Sequence, residues 1–552
     1  MFQHILFFGL ILLAAAITGC GRTKGADLIV TNAIIWTGND AQPTAEALAV
    51  SGDTIIAVGS NEDILRHLGD ETRLIEAQGR MLTPGFIDSH VHFLTGGFRL
   101  SSVQLRDADR EQFVQRIAAY AKTLRPGEWI DGGDWDHTNW GGELPDRNWI
   151  DAVTPENPVF ISRLDGHMAL ANTAALNAAG IEQSVADVDG GEIIRDKTGR
   201  LTGVLKDNAM DLVFAKMPNP SDEQKLRALN AAMNYVASNG VTSVQNMGDG
   251  LGEMAIFERV RAENGLITRI YQAMPIARWQ KLPEKIAADG RGDKWLKIGG
   301  LKGFMDGSLG SHTAAFFEPF SDTPDESGFL VNDETDMYRW IHTADSAGLQ
   351  LMIHAIGDRA IHLLLNIFER VENENGPRDR RFRIEHAQHI APADIPRFAE
   401  LGVIASMQPY HAIDDGRWAE TVIGAERIKT TYAFRSLLDA NARLAFGSDW
   451  FVAPPTPLEG IYAAVTRRTL DDANPDGWVP EQKITVEEAL KAYTADAAYA
   501  SFDEQIKGTL EPGKLADFVL LEKDIRSIPP EEIRNVAVDM TVVGGKIVFE
   551  KQ

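Results

Sequence analysis

Residues 83–93 read TPGFIDSHVHF and end in two histidines, His90 and His92, that are separated by one residue. The Pro-Gly pair at 84–85 is typical of a turn, and the apolar pair after it is typical of a short buried strand. Because side chains two positions apart on a strand point to the same face, both imidazoles would face one point. Histidine is the commonest metal ligand in proteins. Taken alone, the pattern more often marks a strand end with two solvated histidines, so a metal site requires further ligands elsewhere.

Composition limits the classes of partner. The chain has 552 residues, which is enough for two or three domains, and 44% of them are hydrophobic. Its formal net charge is −25, whereas a nucleic-acid-binding protein needs a basic surface. We therefore expect no nucleic-acid partner, and the charge leaves a small-molecule substrate open.

The N-terminal segment is typical of a lipoprotein signal. Residues 5–17 form an apolar run that is too short to span a bilayer and has the length of a signal-peptide core. The single cysteine, Cys20, follows in ITGC at 17–20, which resembles a bacterial lipobox. This predicts a signal peptide at 1–19 and a lipid on Cys20 as the only membrane contact. Gly21, where inner-membrane lipoproteins carry Asp, indicates the outer membrane facing the periplasm. An uncleaved anchor or a secretory peptide stays open, because the residues before the apolar run include no Lys or Arg.

The two ends of the chain are predicted to form one domain. Runs typical of β-strands occur in residues 20–82 and again in 505–552, which predicts a composite β-sandwich. Residues 83–504 instead alternate short apolar strands with helical segments, which is typical of a parallel α/β fold. The predicted strands of this part are Gly85–Asp88, Val241–Gln245, Arg269–Ala273, Gly300–Met305, Leu349–Ile353, Phe382–Glu385, Val403–Met407 and Leu444–Gly447. Eight is the strand number of a (β/α)8 TIM-like barrel.

A long segment, residues 94–239, separates the first two predicted barrel strands. We predict that it is an insertion that caps the barrel mouth. Its tryptophans include Trp129, Trp135, Trp140 and Trp149. They are more typical of the insertion's own core than of an apolar substrate pocket, and the pocket stays the alternative.

Several predicted strands end in a residue that can bind a metal, at the barrel end where catalytic groups usually lie. These residues are His90 and His92 on the first strand, Lys302 on the fourth, His354 on the fifth, His386 on the sixth and Asp449 on the eighth. Singly, His354 is more typical of a hydrogen-bonded core histidine, and Asp449 is equally typical of a helix N-cap. A buried Lys302 is costly unless it is paired or chemically modified. Together, the residues predict a metal site.

The order His-x-His, Lys, His, His, Asp resembles that of the amidohydrolase superfamily. The segments KGFMDGSLGS at 302–311, GDWDH at 133–137, LDGHMALAN at 164–172 and GRLTGVLKD at 199–207 are similar to its N-substituted formamide deformylase-like (YtcJ-like) branch. Two positions depart from that branch: Asp207 stands where it usually has Glu, and His312 stands where it often has Arg.

The resemblance implies two divalent metal ions, with zinc favoured by the nitrogen-rich ligand set. His90, His92 and Asp449 would bind the more buried ion, and His354 and His386 the other. Lys302 would be carboxylated by carbon dioxide and bridge the two. The implied activity is hydrolysis of a C–N, amide-type bond of a small molecule through a metal-activated hydroxide at this binuclear site, with Asp449 as the catalytic proton carrier.

Substrate contacts and two other functions stay open. Candidate contacts, each equally typical of a hydrogen-bonded loop residue, are His167, Asp306, His312, Gln388 and His389. A mononuclear deaminase of a cyclic amidine or nucleobase is one alternative, although Lys302 argues against it. A non-catalytic surface binding lipoprotein is the other, although the complete ligand set argues against decay. A homodimer is also left open.

Overall fold

The computed structural model describes residues 25–100, 102–248 and 250–552, so the predicted signal peptide and Cys20 lie outside the described residues. The described chain starts with short strands, whose bounds are β1 (Leu28–Thr31), β2 (Ile34–Trp36), β3 (Thr44–Ala45), β4 (Ala47–Ser51), β5 (Thr54–Gly59), β6 (Arg73–Glu76) and β7 (Met81–Pro84), with α1 (Asn61–Leu65) before β6. Within the described ranges, no helix is long and apolar enough to cross a membrane.

The first barrel strand, β8 (Phe86–Val91), leads into the insertion. The elements that follow it are α2 (Phe93–Arg99), β9 (Val103–Gln104), α3 (Arg110–Ala121), β10 (Ile130–Trp135), β11 (Val159–Arg163), β12 (Met168–Ala171), α4 (Thr173–Ala179), β13 (Gly191–Arg195), β14 (Leu201–Asp207), α5 (Asp211–Phe214) and α6 (Asp222–Ser238). Strands β9 to β14 form one sheet, here named the cap sheet. Helix α6 packs instead against barrel strand and C-terminal strand residues, so the end of the predicted insertion joins the helical layer of the barrel.

The rest of the barrel alternates strands and helices. Its elements are β15 (Val241–Asn246), α7 (Leu251–Ala262), β16 (Arg269–Pro275), α8 (Lys281–Asp289), β17 (Leu296–Phe304), α9 (Glu334–Ser346), β18 (Gln350–Ala355), α10 (Asp358–Asn375), β19 (Arg383–His386), α11 (Ile395–Glu400), β20 (Ile404–Met407), α12 (Pro409–Asp415), α13 (Ala419–Arg427), α14 (Phe434–Asp439), β21 (Arg443–Phe446), α15 (Pro457–Thr466), α16 (Val486–Ala492) and α17 (Ala495–Ala500). Strand β8 and strands β15 to β21 pair in chain order, all in parallel. This confirms the predicted (β/α)8 barrel.

The barrel comes together where its last strand approaches its first. A parallel bridge joins Val91, the last residue of β8, to Trp450, which lies after the end of β21. A Cβ atom at Gly447 would lie 2.6 Å from the His90 backbone nitrogen, so only glycine allows this approach. The strands are buried on both faces, as strands of parallel sheets are: every residue of β18 and β20 is buried.

The C-terminal strands β22 (Phe518–Leu521), β23 (Val538–Val543) and β24 (Lys546–Glu550) return to the N-terminal strands. They form a sheet in the order β24-β23-β22-β7-β2-β3, beside a second sheet in the order β5-β4-β1-β6. Strand β7 pairs with β22 and ends at Pro84, and Gly85 alone links it to β8, so the turn predicted at Pro84-Gly85 is wrong. Both chain ends therefore build the small β-domain that the sequence predicts.

The cap sheet has its own apolar core. Phe113 of α3 lies 6.5 Å from Trp135, 5.5 Å from Trp140 and 6.4 Å from Trp149, measured between ring centroids. Trp135 is fully buried, and its Nε1 donates a hydrogen bond to the Ile161 carbonyl at 2.8 Å. These tryptophans pack against one another rather than line a pocket.

Candidate metal centre

The turn after β21 brings a carboxylate against the two histidines of β8. Asp449 has a left-handed backbone with φ +58°, and its amide donates to the His90 carbonyl at 2.7 Å. This conformation aims the side chain into the barrel mouth. Asp449 Oδ1 lies 3.4 Å from His90 Nε2 and 3.3 Å from His92 Nε2. That oxygen is buried, and it accepts no hydrogen bond from the described residues.

The other predicted ligands surround the same point. Lys302 of β17 places its Nζ atom 3.4 Å from His90 Nε2. The ring of His386, at the end of β19, lies 4.8 Å from that of His90 and 4.5 Å from that of His354 on β18, between centroids. The structure therefore brings all six predicted ligands together at the C-terminal ends of the barrel strands.

The buried imidazoles of this cluster each use one ring nitrogen in a hydrogen bond that points away from its centre. The pairs are His90 Nδ1 with Glu385 Oε2 at 2.5 Å, His354 Nε2 with the Gly307 carbonyl at 2.9 Å, and His386 Nδ1 with Gln408 Oε1 at 2.8 Å. Because these oxygens only accept, each ring donates through that nitrogen and keeps a lone pair on the other. Burial lowers the pKa of His90 to about 4 and the pKa of His354 well below its usual value. Neutral imidazoles and a carboxylate oxygen without a hydrogen bond are the donor set that a divalent transition metal requires, so these residues fit a metal.

Lys302 is the unusual member of the cluster. Its side chain is buried, and among the described residues no carboxylate lies within 4.0 Å of Nζ. Burial lowers the pKa of Lys302 to about 8, although the Glu385 and Asp449 carboxylates act in the opposite direction. The neighbour of Nζ is the His90 ring, and a buried ammonium without a counter-charge is costly, so this position favours a neutral or modified amine.

Two residues that the sequence analysis did not select hold His90 in place. Glu385 and Arg383 alternate along β19 and have no exposed side-chain surface, and Arg383 Nε lies 2.7 Å from Glu385 Oε1. Burial alone would raise the pKa of Glu385, but Arg383 and then His90 outweigh it and lower the pKa to about 2. The anionic Glu385 therefore fixes the orientation of the His90 ring. The sequence did indicate Glu385: it precedes His386 on a predicted strand, and alternate residues of such a strand face the barrel interior.

A cavity of about 710 Å³ opens above the cluster, between the barrel and the cap sheet. His167 and Gln388 line it, whereas Asp306, His312 and His389 are not among its lining residues in the described structure. The carboxylate of Asp306 accepts hydrogen bonds from backbone amides at 315, 356 and 357. His312 Nε2 lies 3.0 Å from Asp322, and His389 Nδ1 lies 2.9 Å from Thr431 Oγ1.

Comparison with known proteins shows the family of the chain. Residues 73–549 match the amidohydrolase family. The chain belongs to the amidohydrolase family. Its relatives include the Arabidopsis thaliana protein LONG AFTER FAR-RED 3, which is 39% identical over 95% of this chain and 92% of the relative. A Bacillus subtilis protein named as the amidohydrolase YtcJ is 31% identical over 94% and 98%. The N-substituted formamide deformylase of Arthrobacter pascens is 27% identical over 96% and 99%.

A solved structure agrees with the fold of this amidohydrolase. A metal-dependent hydrolase from Pyrococcus horikoshii superposes with a TM-score of 0.75 at 28% identity, over 91% of this chain and 99% of that one. The amidohydrolase is therefore a hydrolase of the metal-dependent kind and a member of the YtcJ-like branch.

The cap contributes one imidazole to the cavity of the amidohydrolase. His167 Nδ1 lies 2.6 Å from Asp207 Oδ1, and the His167 ring lies 5.0 Å from that of His354. Burial alone would lower the pKa of His167, but Asp207 outweighs it and raises the pKa. Asp207, where the branch usually has Glu, thus orients His167 beside the metal cluster.

The amidohydrolase also has a histidine in the cavity wall that the sequence analysis missed. His411 lies on α12, just after the seventh barrel strand, and its ring nitrogens belong to a group with His386 and Asp449. The ligand atoms of these three residues lie within 4.8 Å of one another. Its position in the sequence could have indicated His411, because the seventh strand supplied no other candidate for the site.

Proposed function

We propose that this amidohydrolase hydrolyses a C–N, amide-type bond of a small molecule at a binuclear metal centre. The observation that carries the proposal is the position of Lys302, buried beside His90 within a cluster of neutral imidazoles and one carboxylate. A one-metal site has no use for this lysine, whereas a two-metal site needs a bridging anion. The name of the Arthrobacter pascens relative, an N-substituted formamide deformylase, supports the bond type.

The chain's own residues divide between the two metals as follows. His90, His92 and Asp449 would hold one ion, and His354 and His386 would hold the other. Lys302, as a carbamate formed with carbon dioxide, would bridge them, because a carbamate is anionic and offers two oxygens where an ammonium would be repelled. Zinc suits this nitrogen-rich set. When bound, such ions activate water and polarise a carbonyl group.

The protein's part in the reaction is to place the substrate and to move one proton. The Asp449 carboxylate, of which Oδ1 faces His90 and His92, takes the proton of the attacking water and passes it to the leaving nitrogen. His167, oriented by Asp207, faces the substrate from the cap side. Apolar side chains of the cavity wall, among them Phe160, Phe214 and Phe304, would receive an apolar part of the substrate.

A hydrolysis screen of the zinc-loaded protein tests the proposal. We expect amine release from at least one class among N-formyl amines, N-acyl amino acids, dipeptides and aryl amides, with about two metal ions per chain. Asp449→Asn should lower kcat by about 100-fold or more if it carries the proton. Ammonia release from a cyclic amidine with one metal per chain would instead identify a deaminase. A protein that binds metal but releases neither product would contradict the proposal.

We also propose that the protein is lipid-anchored at Cys20 in the cell envelope, facing the periplasm from the outer membrane. Support comes from the apolar run at 5–17 and the ITGC segment that ends at Cys20. In cells expressing the full chain, palmitate should label the protein, and Cys20→Ala should remove the label. Ser60→Ala is the control and should be labelled as strongly as the parent protein, because Ser60 is distant from Cys20 in the sequence. Unlabelled parent protein would argue against the anchor.

A further inference from the structure

Helix α12 brings His411 into the wall of the central cavity, immediately beyond the seventh barrel strand. The side chain of His411 is only 8% exposed. Its Nε2 atom is buried, and it has no hydrogen-bond partner among the described residues. A buried polar nitrogen normally has a partner. His411 lines the cavity together with His386, Gln388 and Asp449, so a molecule that enters the cavity can supply the missing partner.

The distances to Asp449 separate His411 from His90 and His92, the two histidines predicted to share a metal ion with that carboxylate. His90 and His92 place a nitrogen 3.4 and 3.3 Å from Asp449 Oδ1, close to the separation of about 3.3–3.5 Å that two ligands of one tetrahedral zinc ion have. His411 has no carboxylate oxygen within 4.0 Å in the described chain, although it lies within 4.8 Å of Asp449. That extra distance leaves room for an atom of the substrate between His411 and the metal ligands.

Helix α12 places a second polar side chain, that of Asp415, near His411. Asp415 lies four residues after His411, so both side chains are on the same helix face, and both line the cavity. The Tyr432 hydroxyl donates to Asp415 at 2.5 Å, which holds that carboxylate in position. Of the two, His411 is nearer to the metal cluster, because it shares a group with His386 and Asp449.

We propose that His411 is a further catalytic residue, whose Nε2 forms a hydrogen bond with the reacting amide-type group of the substrate. This inference rests on the proposed function, since it places the reacting group at the metal cluster. His411 binds no metal in this arrangement. It holds the substrate's reacting group from the barrel wall of the cavity, whereas His167 belongs to the cap.

The test uses the full chain loaded with cobalt and the probe acetohydroxamate, a small molecule with a planar amide-like group that chelates divalent metal ions. We expect His411→Gln and His411→Phe to keep the cobalt content and the melting temperature of the parent protein. Their dissociation constants for acetohydroxamate should rise by about tenfold, because the hydrogen bond between His411 and the probe is lost. On whichever amide the parent cleaves, kcat should fall by about 100-fold with a smaller change in KM. His362→Asn is the matched control, because His362 pairs with Asp394 outside the cavity.

Two results would overturn the inference. Loss of one cobalt ion per chain in both His411 variants would make His411 a metal ligand. The affinity for acetohydroxamate is compared only between proteins that bind cobalt. If both variants then bind acetohydroxamate as tightly as the parent protein, His411 is a structural residue. Because the probe needs no turnover, this outcome is independent of the hydrolysis screen: a parent that binds acetohydroxamate and cleaves no amide would contradict the proposed function alone.

Discussion

Lys302 shows how one side chain determines what a site can do. Its ammonium would have to be buried 3.4 Å from His90 Nε2 with no carboxylate within 4.0 Å in the described residues. Divalent ions at the same place would repel it, whereas a carbamate would hold them. The proposed metal centre therefore requires Lys302 in a form that carries no positive charge.

We predict that Lys302→Ala lowers the metal content of the protein and abolishes its hydrolase activity. Short carboxylates such as acetate should partly restore both, since they can occupy the vacated space and supply a bridging anion. Metal analysis after dialysis, with and without acetate, checks this. Lys297→Ala, on the same strand but paired with Asp503, is the control and should keep its metal. A Lys302→Ala protein with a full metal content in the absence of acetate would exclude the bridging role.

Glu385 acts on the metal through His90. Glu385→Gln replaces a charged acceptor by a neutral one and can present a donor to His90 Nδ1, which disturbs the ring orientation. Mutation of a residue that hydrogen-bonds to a metal-binding histidine typically lowers metal affinity by about 10–100-fold, and we expect Glu385→Gln to lower the metal affinity by this amount. Competition with a chelator measures it, with the exposed Glu400→Gln as the control. Unchanged affinity would show that Arg383 and Glu385 serve the barrel core only.

Among the elements of the fold, the site residues near strand ends could be predicted from the sequence, whereas the site residue near the start of a helix could not. His90, His354 and His386 lie at or next to the last residue of an apolar strand, Lys302 lies near the end of β17, and Asp449 lies shortly after β21, so the positions of the apolar runs locate them. His411 was missed because it lies inside a short helix, where no strand-end rule applies. Asp306 was selected for its polar surroundings, but its carboxylate is used by three backbone amides, which no sequence pattern shows.

The cap sheet should depend on its aromatic core. Phe113 is fully buried against Trp135, Trp140 and Trp149. We predict that Phe113→Ala destabilises the cap by about 3–5 kcal/mol, the usual cost of such a truncation. Tryptophan fluorescence during urea unfolding reports on this core directly. Phe317→Ala, at a residue that is 50% exposed, should shift the curve by less than about 0.5 kcal/mol. Equal curves for the two variants would refute the prediction.

The whole molecule depends on contacts between parts that are distant in sequence. Short apolar runs between helical segments predicted the barrel strands, and similar strand runs at both ends suggested a shared domain. The pairing of β7 with β22 could not be derived from either pattern, because register across more than 400 residues is set by packing and not by local sequence. The same holds for the ion pair that joins the barrel to this domain.

That ion pair links Arg269, at the start of β16, to Asp517, just before β22. Arg269 donates to both carboxylate oxygens, at 2.6 and 2.8 Å, and both side chains are almost fully buried. The Gly544 amide also donates to Asp517 at 2.8 Å, so the carboxylate holds the barrel and the β-domain together. Asp517→Asn leaves the Arg269 charge buried without a counter-ion, and we expect a loss of about 3–5 kcal/mol in unfolding free energy. Glu62→Gln, which removes an exposed pair with Arg66, should cost less than about 1 kcal/mol. If urea unfolding gives the two variants the same midpoint, the buried pair does not stabilise the junction, and the apolar contacts of β7 and β22 must hold it alone.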